Sequence, residues 1–256
     1  MIDTEIYKII LALLMSIASG LVGSFALMKR MTLAGDAISH IALPGLALAI
    51  LYSINPALGA GIALLIGALI IWKVESISKL NTEAIVGVLL ALSLAIGELM
   101  IKDEHELMEL LFGNDSGIIF SDFIIGSLIA ILIILFTIKK KYALTLSLVS
   151  KELAKTTGIN NDGLQLSFLL IFSLTILLGL KFLGVLLMGS LIIIPAAIAR
   201  NIATNLNGML VLSSLASTAS VILGMLLAEL FSLSLGPSIV CVAGLIFFIS
   251  LFLRKK

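Results

Sequence analysis

Apolar residues come in long unbroken runs, separated by short polar stretches or by glycine and proline. Nine runs approach or exceed the roughly 20 residues that a helix needs to cross a bilayer. They cover 6–27, 33–54, 56–74, 83–101, 117–138, 163–180, 182–200, 207–231 and 235–253. Apolar and polar positions do not alternate with the period of two that a membrane barrel requires, so the runs predict helices. Only helices and closed barrels satisfy their own backbone in lipid. The expected fold is therefore all-α: a polytopic integral membrane bundle of about nine transmembrane helices, filling residues 1–256 as one domain. The narrowest division falls between 163–180 and 182–200, where only Lys181 intervenes.

Composition supports this reading. The 256 residues are 61% hydrophobic and 12% charged, against about 25% charged in globular proteins. The lone Cys241 excludes a disulfide framework or a thiolate metal site. No nucleic-acid partner is expected; the net charge of +1 says nothing about partners, but the placement of the basic residues carries information. With the N-terminus outside, Lys29, Arg30, Lys73, Lys79, Lys139, Lys140, Lys141, Lys151, Lys155, Arg200, Arg254, Lys255 and Lys256 all face the cytoplasm, 13 of the 16 basic residues. Only Lys8, Lys102 and Lys181 fall outside. The tally requires an odd number of spans and a cytoplasmic C-terminus. The first run opens with the acids Asp3 and Glu5 rather than the basic residues of a secretion signal, so it is kept as a span.

Against this apolar background the run Gly35-Asp36-Ala37-Ile38-Ser39-His40 stands out. A charge at membrane depth costs about 2.5–3.5 kcal/mol on insertion scales, and a transported ion is a common reason for bearing it. Spacing of four residues stacks Asp36 and His40 on one helix face. A carboxylate with an imidazole suits zinc, manganese or ferrous iron. The bland alternative is that Asp36 caps the second span while His40 bonds a neighbouring carbonyl. Glu98 and Glu229 end the fourth and eighth spans at the outer side and are further candidate ligands. They lie far above Asp36 and His40 if every helix is straight, so either the second span enters at unusual depth or the acids mark successive stations. Pro44 and Gly45 are positioned to break that span. Pro195 is expected to kink or break its own, or, with Ala196, Ala197 and Ala199, to provide a slim packing surface.

The loops add two features. Ser150 to Gly158, with Lys151, Glu152, Leu153 and Ala154 between, reads as a short helix capped by Ser150 and ended by Gly158. It is either a surface helix at the lipid headgroups or a segment that docks into a cytoplasmic motor subunit. The charged stretch Asp103, Glu104, His105, Glu106 and Glu109 reads as a solvated outer face. No G-x-x-x-x-G-K-[ST] loop occurs, so the chain is not expected to hydrolyse nucleotide, and no catalytic constellation is evident. Active transport would draw on a separate ATPase or an ion gradient.

Four ordered segments resemble the membrane permease subunits of ATP-binding-cassette importers for zinc, manganese and related divalent metals. They are Arg30-Met31 with Gly35-Asp36-Ala37-Ile38-Ser39-His40, then Leu111-Phe112-Gly113-Asn114-Asp115, then Leu153-Ala154 with Gly158, and finally Lys181-Phe182-Leu183-Gly184-Val185-Leu186-Leu187 through Ile194-Pro195-Ala196-Ala197-Ile198-Ala199-Arg200. Gly236-Pro237-Ser238-Ile239-Val240 extends the similarity. Relatives often carry an acid shortly before that last stretch, where this chain reads Phe231-Ser232-Leu233-Ser234-Leu235 and the nearest acid is Glu229. The resemblance implies a homodimer of permeases in a prokaryotic cell membrane, two ATPase subunits beneath it and an extracytoplasmic metal-binding lipoprotein above. It also implies that 150–158 is the coupling helix, that Asp36 and His40 bind the transported ion, and that no cofactor is held permanently. The rival reading is a stand-alone proton-coupled carrier with Asp36 and His40 as a proton relay.

Overall fold

The computed structural model describes residues 2–78, 80–100 and 120–253. The Asp103–Glu109 stretch and the Leu111–Asp115 motif lie outside them. The helices are α1 (Ile2–Met28), α2 (Thr32–His40), α3 (Ala42–Leu51), α4 (Pro56–Ser78), α5 (Thr82–Met100), α6 (Phe120–Val149), α7 (Lys151–Thr156), α8 (Asn161–Ile202), α9 (Leu206–Phe231) and α10 (Leu235–Phe252). Among the described residues eight helices are long and apolar enough to cross a membrane, and Met188–Ile202 forms a shorter apolar helix. Together they account for the nine expected segments.

The division within α8 falls at Gly184 rather than at Lys181. Its φ of 71° and ψ of 177° belong to a region that is essentially open only to glycine. A straight helix would put Phe172 and Ile193 about 31 Å apart at 1.5 Å per residue. Yet a side chain built on Gly35 would touch both, at 3.6 Å and 3.5 Å. The chain therefore doubles back at Gly184, and α8 is two antiparallel arms. Pro195 lies within the second arm, where the only non-helical dihedrals of α8 belong to Gly184. Of the two readings of Pro195, kink or packing surface, the dihedrals show no break at Pro195 itself, and the reversal of the chain falls at the positive-φ Gly184 instead.

The second span is interrupted as well. Proline has no amide proton, so Pro44 cannot bond the carbonyl four residues back, that of His40. The Ile41 amide turns to the Ile38 carbonyl at 3.0 Å, and α2 ends at His40. Beyond the break, Gly45 and Gly59 bring the backbones of α3 and α4 together, each lying where the other's side chain would have to go. This is the close crossing that small residues permit in a bundle.

Hydrogen bonds tie α4 to the first arm of α8 in antiparallel register: Trp72 Nε1 donates to the Asp162 carbonyl at 3.1 Å, and Ser173 Oγ to that of Leu64 at 3.3 Å. Helices α1 and α9 are also antiparallel, with Ser16 facing Thr218 (2.9 Å between hydroxyls) and Ser19 facing Ser217 (3.2 Å). One apolar core, including Phe25, Phe168, Phe172, Ile38 and Leu64, joins α1, α2, α4 and α8. Large apolar side chains on the outer faces of α4, α5, α6 and α10 are exposed, as lipid-facing positions should be.

Candidate functional site

Among the described residues α2 is the only membrane-directed helix that carries both a carboxylate and an imidazole, Asp36 at its middle and His40 at its end. Asp36 is its fifth residue and Met31 occupies the N-cap position, so Asp36 caps nothing. Its side chain is exposed, although residues 34, 35 and 37–43 around it are buried. His40, one turn on, is only 6% exposed, and its Nδ1 has no hydrogen-bond partner. The bland alternative from sequence, a capping aspartate with a carbonyl-bonded histidine, therefore does not describe this site.

Backbone contact sets the position of the pair. A side chain on Gly189 would come within 2.6 Å of the Asp36 Cα and 2.7 Å of its nitrogen, so the second arm of α8 lies directly on α2. One turn further, Gly23 of α1 packs on the Ile192 carbonyl, and Gly20 packs on Ser213 of α9. Phe172, which reaches Gly35, is ten residues from Asp162 at the end of its arm, about 15 Å at helical rise. Asp36 is thus carried well into the bundle. The two candidate acids fall elsewhere. Gly97 packs on Leu43, which puts Glu98 within about a turn of the His40 level, but the Glu98 side chain is exposed. Glu229 lies sixteen residues beyond Ser213, about 24 Å along α9, and is exposed too. Among the described residues no three histidine, cysteine or acidic side chains come together as a metal-binding group. Asp36 and His40 stand one turn apart as two candidate ligands, with no third beside them among the described residues.

The short helix expected over 150–158 is α7. Ser150 Oγ accepts the Leu153 amide proton at 3.2 Å, and Gly158 has φ +80°. Leu153 is exposed at 54%, as are Lys151 and Glu152, whereas Ala154 is buried. Beside α7 a cavity of about 500 Å³ opens among Lys29, Trp72, Glu75, Lys151, Asn161 and Gln165. Lys29 Nζ donates to Gln165 Oε1 and stands 4.8 Å from the centre of the Phe168 ring. Gln165 Nε2 in turn donates to Glu75 Oε2 at 3.3 Å. Burial lowers the Lys29 ammonium from 10.5 to about 8, with Glu75 opposing the shift and Lys151 reinforcing it. Sequence reading had used Lys29 only to orient the chain and had passed over Gln165 and Glu75. Nothing in their spacing, across 136 and 90 residues, links the three.

Comparison with known proteins agrees with this architecture. Residues 2–254 match the ABC 3 transport family. The chain belongs to that family. The zinc uptake membrane protein ZnuB of Haemophilus influenzae is 32% identical over 250 residues, spanning 95% of each chain. The manganese transport membrane protein MntC of Listeria monocytogenes is 31% identical over 251 residues, 97% of this chain and 90% of that one. Among solved structures, PsaBC from Streptococcus pneumoniae superposes with a TM-score of 0.84 at 29% identity, covering 97% of this chain and 91% of the other. The chain is accordingly a multi-pass membrane permease of an ABC transport family rather than a soluble protein.

Proposed function

We propose that this chain is the channel-forming subunit of an ATP-driven importer of a divalent transition metal, zinc or manganese, with iron within the same ligand chemistry. The observation that carries the reading is the His40 Nδ1, buried without a partner one turn from the exposed Asp36 carboxylate. A buried polar atom left unpaired costs about 1–3 kcal/mol, which ligation of a passing ion would relieve. A carboxylate and an imidazole leave a divalent ion short of its usual four or more ligands. The exposed side of Asp36 is therefore where a second copy would face the first, its own Asp36 and His40 completing a site on the two-fold axis. Such a site is shared and open, so it can release its ion as well as bind it.

In this reading the basic end of the bundle is cytoplasmic. Two ATPase subunits dock there on the coupling helix α7, through Lys151, Glu152, Leu153, Ala154 and the turn at Gly158. An extracytoplasmic metal-binding lipoprotein delivers the ion at the opposite end. Glu229 stands there as an outer station and Glu98 as a second one nearer His40, neither within the Asp36–His40 shell. Pro44 frees the His40 carbonyl and, with Gly45, lets α3 leave the line of α2. Pro195 serves packing of the second α8 arm. Ligands bind metal only when deprotonated, so loading weakens as acid pH protonates His40.

The test is zinc and manganese uptake into ATP-loaded proteoliposomes holding the chain with its ATPase and binding protein, wild type against His40→Ala. ATP-dependent uptake of one metal that disappears in an assembled variant is expected. Uptake that survives the substitution moves the site away from α2. Uptake driven by a proton gradient without ATP would instead favour the proton-coupled carrier.

A further inference from the structure

Two sets of side-chain contacts, joined through the first arm of α8, link the coupling helix to the turn that begins α2. The Asn161 side-chain amide donates to the Lys151 carbonyl of α7 at 2.8 Å. Asn161 and Gln165 are four residues apart on the first arm of α8, hence on one face. Gln165 accepts from Lys29 and donates to Glu75 of α4. Lys29 belongs to the three-residue turn between α1 and α2, whose next residue, Arg30, holds a positive φ of 59°. Asp36 follows seven residues after Lys29 on the helix this turn begins.

We propose that Lys29, held by Gln165, is a positioning residue that carries movement of α7 to the Asp36–His40 helix. Three features suit Lys29 to this role. Its ammonium is bound by a neutral amide and an aromatic face, with Gln165 lying between it and Glu75, so exchanging partners costs less than breaking a buried ion pair would. The cavity beside it, walled by both Lys29 and Lys151, lets the contact open or close without compressing close-packed core. The turn is short, so a pull on Lys29 is a pull on the start of α2. The contacts form a contiguous physical link, but a role in coupling needs evidence of coupling as well as connection.

This inference rests on the importer reading and on α7 as the segment that meets the ATPase. Its test is therefore made on the full reconstituted complex, with manganese and zinc as the probes and ATP hydrolysis measured alongside uptake. Lys29→Met is expected to keep hydrolysis within about twofold of wild type while ions moved per ATP fall about tenfold. Lys29→Arg should restore most of that ratio, which a merely space-filling role would not require. Metal binding without ATP should be unchanged in Lys29→Met and lost in Asp36→Ala, separating coupling from ligation. A normal ratio of uptake to hydrolysis in Lys29→Met, or a proportional fall in both, overturns the proposal. If that variant fails to assemble, Gln165→Glu decides: a direct ion pair should hold the contact shut and lower the ratio, and an unchanged ratio is a refutation. A wild-type complex that hydrolyses ATP and moves neither metal overturns the importer reading itself, a distinct result from failure of the Lys29 link alone.

Discussion

The α1–α9 seam and the junction of α2 with the second α8 arm are both glycine-lined crossings inside an apolar bundle, and both contain polar side chains. They differ in whether those side chains are satisfied. Along the seam Ser16 meets Thr218, Ser19 meets Ser217, and Ser213 Oγ donates to the Gly20 carbonyl at 2.7 Å. Ser220 of α9, also buried, donates to the Ala216 carbonyl of its own helix at 2.8 Å. At the α2–α8 junction Ser39 is likewise bonded, to the Asp36 carbonyl at 2.6 Å. But His40 Nδ1 has no partner and the Asp36 carboxylate points away from the packed core. Polar groups that complete one another within the bundle serve its assembly. Groups held in place and left unsatisfied are the ones available to a ligand.

The largest expected effect tests that contrast directly. Asp36→Asn keeps the shape and removes the charge. Uptake should fall by more than the roughly tenfold that an outer-shell partner of a metal ligand is commonly worth. Ion flux into proteoliposomes measures it, and flux near wild type would erase the distinction between the two crossings.

Next in size is Gly189→Leu, which forces a side chain into the Asp36 backbone. A loss of about 1–3 kcal/mol is expected, read as a lower thermal midpoint in detergent, together with loss of uptake. Unchanged stability would mean that α2 does not ride on α8. Glu229→Gln, about 24 Å along α9 from the Ser213 crossing, should reduce uptake less than Asp36→Asn does. An equal loss would join the two levels in one site.

The pH dependence of stability sharpens the picture at the basic end. With a folded value of about 8 against 10.5 for a free lysine, the unfolded chain holds a proton that the folded chain has released between those limits. Stability contributed by Lys29 therefore rises with pH across that window and is lowest beneath it. Thermal midpoints should climb from about pH 8 upward in wild type, and Lys29→Met should remove that component.

The smallest effect belongs to the seam. Ser19→Ala removes the hydroxyl that bonds Ser217 across the seam and the Ser16 carbonyl within α1, expected to cost about 0.6 kcal/mol per bond and to leave uptake unchanged. A transport defect there would show that a satisfied polar crossing also serves the ion.

Local chemistry was legible without coordinates. The nine apolar segments, the Asp36–His40 pair one turn apart, the cap at Ser150 and the reversal at Gly158 follow from residues near one another in the chain. Transfer to lipid, helical periodicity and capping act over a few residues at a time. The interruption ahead of Pro44 had a local signal too, the amide proton that a proline lacks. Levels and neighbours across the bundle were not. That Pro195 is passed over while Gly184 reverses the chain, that Gly189 seats Asp36 deep in the bundle, and that Glu229 stays far from it all depend on which helices pack together. Lys29, Gln165 and Glu75 are the plainest case, three ordinary surface-type residues made into a half-buried network by contacts 136 and 90 residues apart. Close packing of backbone on backbone sets those positions, and it is a property of the assembled helices that no single stretch of residues contains.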